Sequence, residues 1–435
     1  MKSIGQSWGR YPFANQTIVD VVDRFAGLPA FDRSVLPRGN GRSYGDSCLN
    51  DQGTLLRTTR GLDRFIRFDP STGQLECEAG VLLADILDLA VPQGWFLPVT
   101  PGTKFVTVGG AIANDVHGKN HHVTGTFGRH VLELELIRSS GERLVCSAQR
   151  NAEWFAATVG GLGLTGLITQ ATLQLRRIAS PWMSTETCRF HSLDEFFVLS
   201  EQSARDHEYT VAWIDCASAG DKLGRGLFTR ANHAPALADA RPSAPSRRLR
   251  VPFTPPFSLI NRLSLRAFNS LYFHRQTVSI ARATTHYEPY FYPLDGVGDW
   301  NRIYGPHGFM QYQCVVPPAE ASACLSEALK TIAADGSGSF LAVLKQFGNQ
   351  PSPGLLSFPR PGTTLALDFP NQGRHTLRLL DRLDDLVGEA GGAVYPAKDA
   401  RMAGARFRQY FPAWEAFSAF VDPRFSSSFW RRVME

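Results

Sequence analysis

The residues best suited to chemistry begin with a glycine-rich loop at 38–46, RGNGRSYGD, in which three glycines are separated by polar side chains. Glycine has no Cβ, so the backbone N–H groups of such a loop can converge on an anion, as they do around pyrophosphates. The loop has neither the GxGxxG spacing nor the flanking strand and helix of a nicotinamide-dinucleotide site. It predicts a phosphate cradle, with an ordinary glycine-rich turn as the alternative.

A second cluster, at 101–122, combines small residues with hydrogen-bond donors. Its TVGGAIAND stretch at 107–115 lets a flat or phosphorylated ligand approach the backbone, and its HGKNHH stretch at 117–122 supplies His117, Lys119 and Asn120. His117, His121 and His122 could be metal ligands, but no acidic or cysteine residue stands at metal-ligand spacing, so we expect no metal. A third run, TVGGLGLTGLI at 158–168, again predicts close approach of backbone and ligand.

Short secondary-structure elements must position these clusters. Strand-like stretches in the first 180 residues lie at 55–57, 75–78, 132–137 and 167–175, and a helical pattern covers 81–91 up to Gln93-Gly94. After Pro181 the strand-like stretches are longer and more aromatic, at 209–214, 286–292, 309–316 and 340–347. Strands and helices mix without a strict βαβα rhythm, which indicates an α+β fold.

The composition fits a globular protein of two domains, since 435 residues are many for one hydrophobic core. The net charge of +5 favours an anionic ligand or a membrane surface and is weak support for nucleic acid. Seven dispersed cysteines without a CxxC pair argue against a disulfide framework and a zinc site. The N-terminus lacks a signal-like apolar run, and no window of about 18 apolar residues occurs, so we expect a cytoplasmic protein with no more than peripheral contact at the inner membrane.

A proline-rich segment at 234–256 carries the basic residues Arg247, Arg248 and Arg250. Its length and lack of periodicity predict a long loop. The loop is either a solvated basic segment or a contact with an anionic lipid surface.

The three clusters, in this order and spacing, resemble the vanillyl-alcohol oxidase type (PCMH-type) of FAD-binding domain. Together with FGNQ at 347–350, LSFPRPG at 356–362, LDFP at 367–370 and YPAKDAR at 395–401, they are similar to the decaprenylphosphoryl-β-D-ribose 2′-oxidase family over essentially the whole chain. The resemblance implies two domains: an FAD domain formed by 1–180 with the C-terminal segment 393–435, and an inserted substrate domain at 181–392 built on an antiparallel sheet. It also implies FAD held without a covalent bond.

Carried over position by position, the resemblance implies one set of cofactor contacts and one set of substrate contacts. The implied cofactor contacts are Gly39, Asn40, Gly41, Arg42, Ser43, Tyr44, Gly45, Gly102, Thr107, Gly109, Gly110, His117, Gly118, Lys119, Asn120, Ile168 and Tyr395. The implied substrate contacts are Tyr304, Gln311, Gln313, Lys345, Thr364 and Lys398. Gln311 and Gln313 alternate along one strand and so share a face.

The resemblance names Lys398 and His117 as catalytic residues, with Lys398 beside the flavin and the reacting hydroxyl. Lys398 either removes the hydroxyl proton, which requires a lowered pKa, or stays charged and stabilises the developing alkoxide. His117 is expected to hydrogen-bond rather than bond to the flavin. Thr364 and Ala366 stand where well-known members carry an asparagine and a cysteine, which changes the pocket and leaves no thiol for covalent inhibitors at 366.

The implied activity is oxidation of the ribose C2 hydroxyl of a polyprenyl-phosphoryl pentose to a ketone, the first half of an epimerisation. A quinone or oxygen would accept the electrons, and an NAD(P)H-dependent reductase would be the functional companion. Two alternatives remain at this stage. One is an aldonolactone or alditol oxidase acting on a soluble polyol, and the other is a flavin-binding scaffold without catalysis, which the intact Lys398 argues against.

Overall fold

The computed structural model describes residues 5–236 and 249–435. The strands of these residues are β1 Thr17–Asp20, β2 Val35–Arg38, β3 Thr54–Arg57, β4 Phe65–Asp69, β5 Gln74–Glu78, β6 Trp95–Phe96, β7 Val131–Ile137, β8 Arg143–Cys146, β9 Leu167–Gln174, β10 Arg176–Arg177, β11 Trp182–Phe190, β12 Tyr209–Ile214, β13 Gly226–His233, β14 Leu249–Arg250, β15 Ile280–His286, β16 Val297–Gly298, β17 Phe309–Val316, β18 Val343–Phe347, β19 Gly362–Pro370 and β20 Ala393–Val394. The helices are α1 Leu83–Ala90, α2 Val108–Ala113, α3 His121–Thr124, α4 Ala152–Thr158, α5 Leu193–Ser203, α6 Arg262–His274, α7 Tyr287–Phe291, α8 Ala321–Asp335, α9 Arg374–Glu389, α10 Gly404–Tyr410, α11 Trp414–Ser418 and α12 Ser428–Met434.

Three larger sheets organise these elements. Strands β1, β3 and β2 form a parallel sheet, whereas β4-β5-β9-β7-β8 form an antiparallel sheet of five strands. The largest sheet is antiparallel throughout, in the order β15-β11-β13-β12-β18-β19-β17-β20. The mixture of helices with mainly antiparallel sheets confirms the α+β class, while the division into two domains at 180 and 392 stays a prediction.

The eight-stranded sheet has two different faces. Alternate residues such as Ala212 and Ile214 pack into the main core with helices α8 and α9. Their neighbours Val211 and Trp213 line a cavity on the opposite face. Because successive side chains of a strand point to opposite faces, one sheet both closes the core and forms a wall of that cavity.

Most of the predicted elements are present, and one prediction is wrong. The stretch 286–292 is not a strand, because β15 ends at His286 and helix α7 begins at Tyr287. His286 caps this helix by accepting a hydrogen bond from the Glu288 backbone N–H. Pro289 stands in the first helical turn, where the missing N–H costs nothing, whereas it could not donate to a strand ladder.

Other expectations concern cysteines, membrane spans and the proline-rich loop. All seven cysteines are free thiols. Within residues 5–236 and 249–435, no helix is long and apolar enough to cross a membrane. Of the basic residues in the proline-rich segment, Arg247 and Arg248 lie outside the described residues, and Arg250 ends β14 with an ion pair to Asp299 at 2.7 Å.

Candidate active site

Two glycines join the first cluster to the second cluster and to the segment around Lys398. A Cβ on Gly39 would lie 2.2 Å from Oγ1 of Thr107, the residue that precedes helix α2. A Cβ on Gly45 would lie 1.6 Å from the carbonyl oxygen of Asp399. Only glycine can be this close to its neighbours, so the loop is fixed against both segments.

Helix α2 places the second glycine-rich cluster next to the loop at 38–46. Thr107 Oγ1 accepts a hydrogen bond from the Gly110 backbone N–H at 3.1 Å and so caps the helix. Gly109 donates its backbone N–H to the Ala79 carbonyl at 2.8 Å, and a Cβ at 109 would lie 3.0 Å from the Ala79 side chain. The missing side chains therefore let the helix backbone reach both its neighbour and the cavity.

The third cluster is a turn that leads into β9. Gly163 has a φ of +75°, a left-handed conformation that favours glycine. The turn brings Leu162, Gly163 and Ile168 to the cavity wall. All three glycine-rich clusters predicted from the sequence therefore meet around one space.

That space is a cavity of about 620 Å³ between the three clusters and the eight-stranded sheet. Its volume is typical of small-molecule sites, which run from about 300 to 1,000 Å³. The predicted site residues on its wall are Gly39, Asn40, Gly41, Arg42, Ser43, Tyr44, Gly102, Thr107, Gly109, Gly110, His117, Gly118, Lys119, Ile168, Gln311, Gln313, Lys345, Tyr395 and Lys398.

Four of the predicted contacts do not line the cavity. Gly45 packs against the segment that follows Lys398, and the Asn120 amide donates to the Pro98 carbonyl at 2.9 Å. The other two support polar residues of the site: Thr364 Oγ1 accepts a hydrogen bond from Gln313, and the Tyr304 hydroxyl is bonded to Asp368. The structure thus gives these four residues supporting contacts rather than positions on the cavity surface.

Lys398 is the central titratable group of the cavity. Its Nζ lies 3.8 Å from the centroid of the Tyr44 ring. Burial lowers the pKa of its amine to about 7, and Asp368 raises it while Lys345 lowers it further. An ordinary lysine, with a pKa of about 10.4, is almost always protonated at neutral pH. Lys398 instead has a substantial neutral fraction and can accept a proton.

Asp368 on β19, which was not among the predicted site residues, acts on Lys398 through its charge. Its buried carboxylate accepts hydrogen bonds from Gln311 Nε2 at 2.6 Å and from the Tyr304 hydroxyl at 3.3 Å. Burial raises the pKa of this carboxyl to about 7, against the opposing effects of the Gln311 hydrogen bond and the Lys398 charge. Burial raises the pKa of the Tyr44 hydroxyl, whose ring lies beneath Lys398; Asp368 raises this pKa further and the Gln311 side chain lowers it. In the sequence, the feature that could have identified Asp368 as a site residue is a lone carboxylate in an otherwise apolar strand.

His117 is held in a defined tautomer by Gln313. The Gln313 Nε2 amide donates to His117 Nε2 at 2.9 Å, so the ring proton resides on Nδ1. Burial, followed by the charges of Lys345, His121 and Lys398, lowers the pKa of His117 well below its usual value, and the ring is neutral at neutral pH. Within the described residues, Nδ1 is buried without a hydrogen-bond partner. A ligand acceptor would satisfy it.

The chain matches one family model and is similar to several known proteins. The family model described as FAD binding domain matches residues 15–147. Decaprenylphosphoryl-beta-D-ribose oxidase of Mycolicibacterium smegmatis (strain ATCC 700084 / mc(2)155) is 37% identical over 421 residues, which are 92% of this chain and 89% of that protein. The chain belongs to the decaprenylphosphoryl-β-D-ribose oxidase family. It is an FAD-dependent oxidoreductase.

Other relatives extend the comparison. An uncharacterized protein in the mprA 5′ region of Streptomyces coelicolor is 34% identical over 81% of this chain and 100% of that protein. L-gulonolactone oxidase of Bos taurus is 33% identical over 138 residues, or 31% of this chain and 30% of that protein. The likeness to the ribose oxidase family thus covers most of the chain, whereas the likeness to the lactone oxidase covers about a third.

The cavity fits the FAD used by the decaprenylphosphoryl-β-D-ribose oxidase family. Its glycine-rich side exposes backbone where a phosphorylated ligand needs close approach, and a Cβ on Gly102 would meet nothing within 4 Å. Besides His117 Nδ1, Arg42 Nε is buried without a partner among the described residues, so both offer donors to a bound group. The residues of the three clusters would hold the cofactor. Non-covalent attachment stays a prediction.

Two predicted cofactor contacts have their polar groups engaged within the protein. Lys119 Nζ donates to the carbonyls of Tyr290 and Phe291 at 2.8 and 3.1 Å. The Tyr395 hydroxyl donates to the Asn114 carbonyl at 2.8 Å. Both residues line the cavity, but their polar ends tie neighbouring segments together and leave the side-chain surface for a ligand.

The substitution Asp368→Asn tests whether this carboxylate sets the protonation of Lys398. Activity that needs the neutral amine should rise with pH through about 7, the pKa of Lys398. Because the Asp368 charge raises that pKa, its removal should move the rise to lower pH, by about one pH unit or more. The measurement is the pH profile of kcat/KM.

Asp422→Asn is the matched control for the amide substitution. Asp422 is another buried carboxylate, paired with Arg138 at 3.2 Å, and it does not line the cavity. Its variant should lose stability without moving the pH profile. An unchanged profile in Asp368→Asn protein that still contains FAD would show that Asp368 does not set the protonation of Lys398.

Proposed function

We propose that the protein oxidises the C2 hydroxyl of polyprenyl-phosphoryl ribose to a ketone, as the first half of an epimerisation. The observation that carries this proposal is a pair of half-buried lysines, Lys345 and Lys398, on the wall of one cavity. Within residues 5–236 and 249–435, neither amine forms a salt bridge. Two such amines suit two tasks, proton transfer by one and neutralisation of a substrate phosphate by the other.

Lys398 is the residue proposed to handle the hydroxyl proton. FAD held by the residues of the three clusters would supply the acceptor for the hydride of the carbinol carbon. The neutral Lys398 amine accepts the hydroxyl proton, and the alcohol carbon becomes a carbonyl carbon. The Asp368 carboxylate stabilises the ammonium that forms on Lys398. This arrangement favours the base over the alkoxide-stabilising cation, because burial already holds the pKa of Lys398 at about 7.

Lys345 is proposed to bind the phosphate of the substrate. It lies on β18, paired with β19 near Thr364, and burial lowers the pKa of its amine to about 8. A phosphate would raise that pKa again and form a charge-assisted hydrogen bond. Gln311 and Gln313, on the neighbouring β17, would contact sugar hydroxyls with the hydrogen-bonding capacity left by their protein partners.

The remaining assignments follow from the same proposal. A quinone or oxygen would reoxidise the cofactor, and an NAD(P)H-dependent reductase would convert the ketone into the epimeric alcohol. The substrate would enter between an FAD domain, residues 1–180 with 393–435, and a substrate domain, residues 181–392.

Anaerobic loss of FAD absorbance tests the substrate directly. The purified protein would be mixed with polyprenyl-phosphoryl ribose, with free polyols and with aldonolactones. The phosphorylated lipid sugar should reduce the cofactor, and Lys345→Met should raise the concentration for half-maximal reduction about 10- to 100-fold, because a charged hydrogen bond contributes about 1.5–3 kcal/mol. Lys345→Arg should restore part of the affinity.

Two outcomes would contradict the proposal. Reduction by polyols or lactones alone would favour the alternative of an aldonolactone or alditol oxidase. Equal affinity of the wild type and of Lys345→Met for the lipid sugar would remove Lys345 from phosphate binding.

A further inference from the structure

Helix α6 and the chain that leads into it expose an unusual amount of apolar surface. Leu263 and Leu271 are 81% and 74% exposed, and Phe253 and Phe257 are each 67% exposed. Leu263 and Leu271 are eight residues apart, so they lie on the same side of the helix with Ala267 between them. We call the helix surface formed by Leu263, Ala267 and Leu271 the α6 face. Single exposed apolar residues are common, but a group of large ones marks an interaction surface.

The surroundings of the α6 face are basic. Residues 249–287 contain no Asp or Glu, and Arg262, Arg266 and Arg275 lie exposed on α6 or directly after it. Arg250 and Arg282 are paired with Asp299 and Glu186. In the part of the chain that the structure describes, the three α6 arginines have no carboxylate partner. An anionic partner would form ion pairs with these three arginines.

The helix is firmly held with its apolar side outward. Leu265 and Phe273 are buried against the body of the protein, and the buried Asn269 amide donates to Asp215 at 2.9 Å. Asn261 caps the helix by accepting hydrogen bonds from the backbone N–H groups of Leu263 and Ser264. The α6 face is therefore part of a fixed surface and does not depend on a rearrangement.

The same helix reaches the candidate active site. Tyr272 and Arg275 line the cavity, and the Tyr272 ring lies 4.7 Å from that of Trp213, which is also on the wall. A surface that binds lipid at α6 would thus adjoin the part of the cavity wall formed by these residues. A substrate with a long hydrocarbon chain could pass between them without crossing water.

We propose that the α6 face docks on a membrane surface that contains anionic lipids, with Leu263 and Leu271 inserted at the interface and the arginines against the headgroups. An amphipathic helix with a basic flank lies in the interfacial plane in this way. Each Arg near an anionic surface adds to the attraction. The proposal rests on the proposed function only for its purpose, the delivery of a lipid-linked sugar, and not for its evidence.

Co-sedimentation with vesicles tests the docking. The FAD-containing wild type would be mixed with vesicles of phosphatidylcholine alone or with an equal part of phosphatidylglycerol. Wild-type protein should bind the mixed vesicles at least about tenfold more strongly, because several arginines contribute. The double variants Leu263→Glu/Leu271→Glu and Arg262→Glu/Arg266→Glu should each lose most of this binding. Phe25→Glu, a change at a 75% exposed residue outside the α6 face, should bind as the wild type does.

Further readouts separate docking on lipid from misfolding and from self-association. Both double variants should keep their FAD content and their reduction by detergent-dispersed substrate, since none of the four residues lines the cavity. Failure of vesicle binding in the wild type, or equal binding by wild type and double variants, would overturn the proposal. So would a wild-type dimer that becomes monomeric in Leu263→Glu/Leu271→Glu without any vesicle binding. Failure of the proposed function would appear separately, as unreduced FAD with detergent-dispersed substrate.

Discussion

Replacing Lys398 with methionine is expected to slow reduction of the bound FAD by substrate about 10²- to 10⁴-fold, the range that general-base catalysis contributes. Methionine keeps much of the side-chain volume and removes the amine, so FAD content and the unfolding temperature should change little. The loss should appear in the limiting rate of reduction, because the amine acts on the reacting hydroxyl. Stopped-flow absorbance under anaerobic conditions measures this rate.

Lys345→Met is the matched comparison, since it removes the amine of the second lysine of the proposed pair in the same cavity. It should weaken substrate binding while leaving the limiting rate within a few-fold of the wild type. Substrate reduction of Lys398→Met protein at the wild-type rate would exclude Lys398 from proton transfer. If Lys398→Arg retained full activity, the residue would act as a cation and not as a base.

Replacing Gly102 with leucine is expected to yield a folded protein that binds FAD about 10- to 100-fold more weakly, since overpacking of a filled site costs about 1–3 kcal/mol. A Cβ at 102 would meet no protein atom within 4 Å, and the residue lines the cavity. The added side chain therefore has room in the protein alone and conflicts only with a bound group. Titration of the apoprotein with FAD, followed by flavin fluorescence, measures the affinity.

Gly27→Leu is the control for this substitution. A Cβ on Gly27 also meets nothing within 4 Å, and this glycine is exposed like Gly102, but it does not line the cavity. Its variant should bind FAD normally. Wild-type FAD affinity in Gly102→Leu would mean that the cofactor does not occupy the space in front of residue 102.

The three glycine-rich clusters singled out in the sequence lie around one cavity, because backbone geometry leaves a clear trace in residue type. A Cβ at position 39 or 45 would collide with neighbouring atoms. Only glycine can therefore stand at these two positions, whatever residues surround them in the sequence. The position of these glycines relative to Lys398, far apart in the chain, could be reached only through the family resemblance. The structure supplies that link through the packing of Gly45 on Asp399.

The sequence predicted the polar side less completely. Tyr304 and Thr364 carry groups that could touch a substrate, yet each is turned toward another side chain, and residue type cannot decide between those partners. Asp368 could have been predicted as a site residue from its position in the strand. It follows Thr364 and Ala366 at intervals of two in one strand, so all three share a face. A carboxylate on that face belongs with the residues already assigned to it.

The strand prediction at 286–292 failed for a local reason. Aromatic and β-branched residues favour strands, but Pro289 and the capping side chain of His286 fit the first turn of a helix better. The resulting helix α7 matters for the site, because its backbone carbonyls at Tyr290 and Phe291 hold the Lys119 amine.

Thr364 and Ala366, where well-known family members carry an asparagine and a cysteine, affect the pocket rather than the reaction. Ala366 lines the cavity with a methyl group, directly opposite Gln313 in the β17–β19 pair. Thr364 does not line the cavity, and its hydroxyl supports the Gln313 amide. The groups assigned to proton transfer, Lys398 and Asp368, are unaffected by either difference.

Anaerobic mixing of the protein with polyprenyl-phosphoryl ribose, unlabelled or deuterated at C2, tests the central claim most directly. We expect the FAD absorbance to disappear and mass spectrometry to show one ketone product for each FAD reduced, lighter than the substrate by H₂, or by HD when C2 is deuterated. The C2-deuterated substrate should react several-fold more slowly, since the C2–H or C2–D bond breaks as the Lys398 amine takes the hydroxyl proton. FAD that stays oxidised would contradict the account. So would reduction at the same rate with both substrates and no loss of H₂ from the sugar.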